Sequence, residues 1–411
     1  MKISKIPMKS VLSIGAALIS ISVIAPAAIG DPSPGFYTTV PSNLATLAPG
    51  TLIKAELETM GFFTNISFSS AYRIMYRSTG QLGGAVAVTG MVFVPLGTAP
   101  SSGWPIVTWD HGTTGVGPSC TPSMYGDMYD NSNWHGYSDE IELLLTLGYV
   151  VVAPDYEGLG PPPPNGTEHT YLQANALAQV TIDSVRAISQ VASSTSTRWA
   201  SVGHSEGGMA SVATGELAAT TYGQGLTYLG AVALAPVQHL YAQSYPVDTS
   251  AQGAPYYAYM AVGMRAINPS FDYTKFLGPL WTGTTTPNMS QAQQDCFTQW
   301  FRTDNKGVTF TTQNLLNPNG PSDPTVQTYF ANSNIGLRKS AGPILVAQGT
   351  NDSLYSTYPQ FIQDECTTGN VVHGITYQNV THIGVVSKSQ YDVQTWLAGR
   401  FAGSPAPNDC H

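Results

Sequence analysis

Three side chains of this sequence could together carry out nucleophilic catalysis: Ser205, Asp352 and His382. Ser205 lies in the run 203–208, Gly-His-Ser-Glu-Gly-Gly, which fits the G-x-S-x-G pattern of a nucleophile elbow. In such an elbow a sharp strand-to-helix turn exposes the serine hydroxyl, and the flanking residues are glycines because a Cβ there would meet neighbouring backbone. The pattern predicts a nucleophile at Ser205, and its alternative is a structural glycine turn that merely contains a serine.

The acid partner of this nucleophile is predicted to be Asp352. A serine hydroxyl becomes reactive when an imidazole accepts its proton and a carboxylate fixes the tautomer of that imidazole. In chains with such an elbow the partners follow in the order serine, acid, histidine. Asp352 comes just after the apolar run 344–348, at the end of a predicted strand, and its alternative is an ordinary turn aspartate. Asp323 lies in a Pro-rich loop, and Asp364 and Asp392 lie on predicted helices.

The base is predicted to be His382. Three histidines follow Asp352 in the chain. His373 stands at the entrance to the last predicted strand and His411 is the terminal residue, whereas His382 follows that strand. A loop in that place lies at the carboxyl edge of the sheet, where the nucleophile is also expected.

A carbonyl group attacked by the serine also needs two backbone N–H donors for its developing negative charge. One is predicted to be the N–H of Glu206, directly after the nucleophile and at the start of a helix. The other is expected from the loop 110–114, with Asp110, His111 and Gly112 as the candidates, and the sequence does not decide among its amides. His111 precedes the nucleophile, so we expect it to hold this loop rather than to act as the base.

The elements that must position these residues alternate between strands and helices. Strands are predicted at 71–78, 84–95, 104–109, 149–153, 198–202, 229–235, 344–348 and 374–378, and helices at 141–147, 172–192, 209–220 and 390–401. Such alternation favours an α/β fold with a mostly parallel sheet. Residues 31–70 are rich in Pro, Thr and Ser and are predicted to be an N-terminal extension packed on this body.

The alternation stops over residues 241–340, which are rich in Tyr, Phe, Met and Pro. An insertion of this size between two core strands predicts a cap, or lid, over the active face, with 31–240 and 341–411 forming the core. Most of its aromatic side chains are expected to form the interior of the cap. Some must face the cleft, which predicts an apolar substrate tunnel.

Composition excludes several classes of protein. The chain has 411 residues, of which 42% are hydrophobic and 10% are charged, so it can bury a large core. Its formal net charge of −9 disfavours nucleic-acid binding. No feature implies a cofactor or a partner subunit, and we expect a monomer.

The first 30 residues are predicted to be an export signal. Lys2, Lys5 and Lys9 precede the apolar run 11–24, and small residues follow it as cleavage sites. The run is short for a membrane span, so the alternative of an uncleaved anchor is disfavoured, and no integral membrane anchor is expected. The predicted location is extracellular, with the periplasm as the alternative.

Four cysteines are present: Cys120, Cys296, Cys366 and Cys410. An even number in a chain bound for an oxidising compartment predicts two disulfides, with three connectivities open. Metal binding is the rival interpretation. It is disfavoured because no C-x-x-C pair or His-rich cluster is present, so no metal ligand is predicted.

Several short stretches, in shared order and spacing, resemble the secretory lipase family typified by lipase A of Candida antarctica. They cover about 100–385 and comprise Ser-Cys-Thr-Pro-Ser at 119–123, Pro-Asp-Tyr-Glu-Gly at 154–158, the elbow at 203–208, Gly-Thr-Asn-Asp at 349–352, Asp-Glu-Cys at 364–366 and Thr-His at 381–382. Glu206 departs from the family's yeast pattern, which has glycine there, and the cap sequence also differs.

This resemblance implies an α/β-hydrolase core with an inserted, mainly helical lid, acting on carboxylic esters and triglycerides. It also implies the pairs Cys120 with Cys296 and Cys366 with Cys410. On the chain-entropy model the second bridge, which would enclose the His382 loop, contributes about 4 kcal/mol.

The sequence thus favours a secreted serine esterase or lipase that acts through an acyl-enzyme, with an oil–water or polymer surface as a place where substrate could be met. A secreted serine peptidase of the same fold is the alternative enzyme; it would need a charged or hydrogen-bonding pocket for a peptide terminus, which the aromatic cap disfavours. A third hypothesis is a binding protein whose triad has decayed. The complete set of serine, aspartate and histidine disfavours it.

Overall fold

The computed structural model describes residues 35–58, 66–124, 137–160, 168–245, 247–283, 287–297 and 307–410. The predicted export signal at 1–30 and the terminal His411 lie outside these residues. Within the described ranges no helix is long and apolar enough to cross a membrane.

The centre of the molecule is a sheet in which nine strands are described. Their bounds are β1 Leu52–Glu58, β2 Ser70–Thr79, β3 Ala85–Val94, β4 Trp104–Asp110, β5 Val150–Pro154, β6 Thr195–His204, β7 Thr227–Leu234, β8 Ile344–Gly349 and β9 Val372–Tyr377. Their spatial order is β1-β2-β3-β5-β4-β6-β7-β8-β9. The pairs among β1, β2, β3 and β5 are antiparallel, and every pair from β5 to β9 is parallel. The mostly parallel sheet expected from the sequence is therefore confirmed.

The edge strand β1 corrects the sequence analysis, which treated residues 31–70 as an extension without a strand. Its sequence, Leu-Ile-Lys-Ala-Glu-Leu-Glu, includes charged residues that suit an exposed edge. Pairing with β2 supplies the backbone hydrogen bonds that such a short segment lacks alone. The segment before it packs on the body as expected, since Phe36 and Tyr37 are buried beside Met75.

Helices cover both faces of the sheet. Outside the β7–β8 connection they are α1 Tyr137–Thr146, α2 Ala174–Ile188, α3 Glu206–Ala218, α10 Tyr358–Thr367, α11 Gly384–Lys388 and α12 Gln390–Ala402. Because successive strand residues point to opposite faces, Val150 belongs to the same apolar cluster as Leu177 of α2, whereas Val151 belongs to that of Ile141 and Trp396. The strands are buried on both sides, which is why they read as continuous apolar runs.

The connection between β7 and β8 contains helices, as the resemblance stated above implies. The described helices are α4 Leu240–Ser244, α5 Ala254–Ile267, α6 Pro279–Thr282, α7 Met289–Ala292, α8 Thr312–Leu315 and α9 Pro324–Asn332. Tyr259, Phe276, Trp281 and Tyr329 are fully buried here. Most of the aromatic side chains described in this region are therefore buried.

Candidate active site

The turn from β6 to α3 forces Ser205 into an unusual backbone conformation. Its φ is 60° and its ψ is −117°, a combination that L-residues rarely adopt and that strained functional positions often show. The Ser205 N–H donates to the Leu234 carbonyl at 2.9 Å, which fixes the turn against β7. A Cβ at Gly203 would lie 2.1 Å from the Gly207 carbonyl oxygen, and one at Gly207 would lie 1.8 Å from the Asp110 carbonyl oxygen. Both glycines are therefore required by sterics.

Substituting Gly207 with alanine is expected to destabilise the protein by more than about 3 kcal/mol, because the new methyl group meets backbone atoms that cannot move without breaking the elbow. Urea unfolding followed by tryptophan fluorescence measures this. Gly399→Ala is the matched control, since no atom lies within 4 Å of the Cβ position in α12, and it should be neutral or slightly stabilising. Equal midpoints for the two variants would contradict the steric argument.

The structure brings Ser205, His382 and Asp352 together. His382 Nε2 lies 2.9 Å from Ser205 Oγ, and His382 Nδ1 lies 2.8 Å from Asp352 Oδ2. The Asp352 carboxylate is buried and accepts further bonds from Gln348 Nε2 at 2.7 Å and from the Leu354 N–H at 3.0 Å. These donors hold the carboxylate toward the imidazole. A proton can therefore pass from the serine to a histidine whose other nitrogen is already oriented.

A chain of hydrogen bonds that sequence analysis did not foresee holds the His382 loop. His204 Nε2 donates to the His382 carbonyl at 3.0 Å, so the Nδ1 of a neutral His204 accepts from Tyr137 Oη at 2.9 Å. Tyr137 Oη in turn accepts from the Gly112 N–H at 3.0 Å. His204 is the variable residue of the elbow motif, and nothing in the sequence near Tyr137 marks it.

The three candidates for the second N–H donor occupy different places. The Gly112 N–H is already donated to Tyr137, and Asp110 ends β4 with its backbone paired to Gly203. The His111 ring stacks on Tyr156 and its Nδ1 contacts the Gly112 carbonyl at 2.7 Å, consistent with a role in holding the loop. The next residue along, Thr113, lines the cavity beside Ser205.

Asp110 is a buried acid under this loop. Its carboxylate accepts from Thr181 Oγ1 at 2.9 Å, Ser211 Oγ at 3.1 Å and Thr108 Oγ1 at 3.2 Å. Burial raises the pKa of Asp110 to about 7, while the three hydroxyl groups oppose the rise. Its contacts join β4, α2 and α3, so it stabilises the base of the loop rather than facing the cavity.

The side chain of Glu206 is buried behind the nucleophile, although sequence analysis considered only its N–H. Glu206 Oε2 accepts from Thr113 Oγ1 at 3.1 Å, and Thr113 Oγ1 lies 3.0 Å from Tyr171 Oη. Glu206 Oε1 lies 3.5 Å from His169 Nε2. The glutamate therefore ties Thr113, and with it the 112–114 loop, to the start of α3.

A cavity of about 280 Å³ opens beside Ser205 and His382. One part of its wall is apolar and comprises Leu172, Val237, Leu240, Met260, Phe297, Leu354 and Ile383. The rest of the wall is mostly polar or aromatic and comprises Thr113, Tyr171, Ser205, Gln243, Ser244, Asp248, Gln252, Gly253, Tyr256, Tyr257, Ser353 and His382. In the described residues no group of three His, Cys, Asp or Glu side chains is arranged as a metal site.

Two disulfides link distant parts of the chain, Cys120 to Cys296 and Cys366 to Cys410, the pairing that the resemblance implies. The first connects the loop after β4 with the wall of the cavity, because Phe297 follows Cys296 directly. The Phe297 N–H also donates to the Thr114 carbonyl at 2.8 Å. The second encloses β9 and the His382 loop.

Comparison with known proteins identifies the family. Lipase 1 of Candida albicans is 26% identical over 182 residues, which are 42% of this chain but only 36% of that protein. The closed-state structure of Candida antarctica lipase A has a TM-score of 0.71 at 17% identity, covering 93% of this chain and 89% of that one. The rice cell wall degrading esterase LipA of Xanthomonas oryzae has a TM-score of 0.66 at 18% identity, covering 84% and 95%. These structures show an α/β-hydrolase fold. The model of the secretory lipase family matches residues 139–409, and the chain belongs to that family.

Proposed function

We propose that this protein is a secreted serine hydrolase of carboxylic esters, with Ser205 as nucleophile, His382 as base and Asp352 as its orienting acid. The observation that carries the proposal is the continuous relay of 2.9 Å and 2.8 Å from Ser205 Oγ through the imidazole to Asp352. Membership of the secretory lipase family and the lipase and esterase structures that share its fold support the same reaction class.

In this mechanism Ser205 Oγ attacks the ester carbonyl carbon while His382 Nε2 accepts the serine proton. Asp352 stabilises the resulting imidazolium by accepting a hydrogen bond from the Nδ1–H of His382. The imidazolium then protonates the departing alkoxide, which leaves the acyl group on Ser205. Water, activated by the same imidazole, attacks the acyl-enzyme and releases the acid.

The negative oxygen of the tetrahedral intermediate would be held by the Glu206 N–H at the start of α3 and by an amide of the 112–114 loop. Because the Gly112 N–H is already engaged by Tyr137, Thr113 is the residue of that loop that we favour. Its hydrogen bond to the Glu206 side chain supports this choice, since it holds the two donor segments together.

The substrates that the cavity suits are esters with an apolar acyl or alcohol part, triglycerides among them, because Leu172, Leu240, Met260 and other apolar side chains line part of its wall. We assign residues 31–240 and 341–411 to the catalytic core and 241–340 to a lid. The two disulfides and the lysine-led apolar start of the chain support secretion.

The proposal is tested with p-nitrophenyl esters of graded acyl length beside peptide p-nitroanilides carrying apolar residues. We expect hydrolysis of the esters only, and stoichiometric inactivation by diethyl p-nitrophenyl phosphate. Peptide mapping by mass spectrometry should place the diethylphosphoryl group on Ser205. Preferential cleavage of the anilides, or labelling of another residue, would overturn the assignment.

A further inference from the structure

Tyr256 places a phenol in the wall of the cavity that also contains Ser205 and His382. It stands in the first turn of α5, two residues after the helix begins at Ala254. Its ring packs against Phe297, with centroids 5.3 Å apart, and meets Tyr259 edge-on at 6.5 Å. These aromatic neighbours fix the direction of the side chain.

The Tyr256 hydroxyl forms no hydrogen bond with any residue that the structure describes. The other two tyrosines of the cavity wall are engaged: Tyr257 Oη accepts from the Asp248 N–H at 2.7 Å, and Tyr171 Oη lies 3.0 Å from Thr113 Oγ1. The Tyr256 hydroxyl oxygen is not fully buried. Because Tyr256 lines the cavity, this oxygen is accessible from it. A donor that has no partner among the described residues thus lies at the space that substrate fills.

The free-energy cost of burying the Tyr256 hydroxyl without an acceptor indicates which substrate group binds beside it. A plain alkyl chain that fills the cavity would separate the hydroxyl from water and offer no acceptor, which weakens binding by roughly ten-fold. The reacting carbonyl oxygen is already assigned two backbone donors, at Glu206 and in the 112–114 loop. An acceptor for Tyr256 must then come from another part of the ester.

The charges around Tyr256 further restrict which substrate atom can accept its hydrogen bond. Burial raises the pKa of Tyr256 above its usual range, and the nearby carboxylates of Asp352, Glu206 and Asp248 raise it too. The phenol therefore stays protonated and acts as a donor at any working pH. The same negative charges disfavour a free carboxylate in the substrate, so the acceptor is a neutral oxygen.

We propose that Tyr256 determines substrate specificity by donating a hydrogen bond to a second, neutral oxygen of the bound ester, so that esters with an ether, hydroxyl, keto or further ester oxygen are preferred over plain alkyl esters. This inference rests on the proposed ester hydrolase function. It makes Tyr256 a residue that contacts substrate, distinct from the groups that contact the reacting carbonyl.

The test compares Tyr256→Phe with the wild type on two isosteric series. The first is p-nitrophenyl hexanoate with its 3-, 4- and 5-oxa analogues; the second is the hexanoate esters of pentanol and of its oxa analogues. For at least one oxygen position we expect the variant to lose about ten-fold in kcat/KM. For the plain ester we expect kcat/KM to rise a few-fold, because the variant has no hydroxyl that the alkyl chain would leave without an acceptor. Tyr391→Phe, an exposed phenol on α12, is the control and should change nothing.

Equal loss on all members of both series would mean that Tyr256 acts on the reacting carbonyl or on packing, and it would overturn the proposal. Unchanged kcat/KM values for every member of both series would overturn it as well. Failure of the underlying function looks different, because Ser205→Ala would then retain hydrolysis of every member of both series.

Discussion

Replacing Ser205 with alanine is expected to lower kcat for ester hydrolysis by about 10⁵-fold or more, the magnitude found when the nucleophile of such a triad is removed. Without Oγ the imidazole has no proton to accept at 2.9 Å, and no acyl-enzyme can form. What remains should be the weak catalysis supplied by binding and by the backbone donors around the carbonyl. Single-turnover and steady-state rates with p-nitrophenyl butyrate measure the loss.

The matched control for this substitution is Ser387→Ala, an exposed serine five residues beyond His382, which should retain wild-type kcat. Circular dichroism and the thermal unfolding midpoint verify that the Ser205→Ala protein is folded, and we expect a midpoint close to that of wild type because the substitution removes only the part-buried hydrogen bond to His382. A folded Ser205→Ala protein with full esterase activity would refute the mechanism as a whole.

Replacing Asp352 with asparagine is expected to lower kcat by about 10⁴-fold at neutral pH while KM changes little. The asparagine amide can present an N–H to His382 Nδ1, which favours the tautomer with the proton on Nε2, the nitrogen that must accept from Ser205. It also removes the negative charge that stabilises the imidazolium. The effect should therefore appear in kcat rather than in substrate binding, and initial rates over a range of ester concentrations separate the two.

A second aspartate–histidine pair in the same protein provides the control for Asp352→Asn. Asp409 Oδ2 lies 3.1 Å from His373 Nδ1, but both side chains are partly exposed and neither lines the cavity. Asp409→Asn should leave kcat within about two-fold of wild type, since exposed pairs contribute little. If both substitutions lowered kcat alike, the loss would reflect general perturbation of the β9 region, and the orienting role of Asp352 would be wrong.

Local backbone requirements explain why much of the fold and part of the candidate site could be predicted. Buried parallel strands appear as apolar runs, and β5 and β8 are both within two residues of their predicted bounds. The elbow could be located because only glycine fits the close backbone contacts at Gly203 and Gly207. Asp352 and His382 were selected by chain order and by their places after predicted strands; in the structure His382 contacts Ser205, and Asp352 contacts His382.

Other features depend on partners far away in the chain and carry no local signal. The strand β1 exists because β2 pairs with it, and its own composition predicted an irregular extension. The hydrogen bonds from Gly112 through Tyr137 and His204 to the His382 loop join segments that lie up to 270 residues apart in sequence. The sequence of any one of these four segments does not indicate that it contacts the other three.

By itself the sequence predicted Ser205 as the nucleophile, most of the core strands and helices, and the candidates for acid and base, because each depends on the backbone conformation or burial of a few adjacent residues. Only the tertiary structure showed that Tyr137 engages the Gly112 N–H, that the Glu206 side chain binds Thr113, and that Tyr256 lines the cavity with its hydroxyl unbonded to the residues described. Those outcomes depend on how side chains from separate elements pack together, and packing direction is a property of the assembled fold.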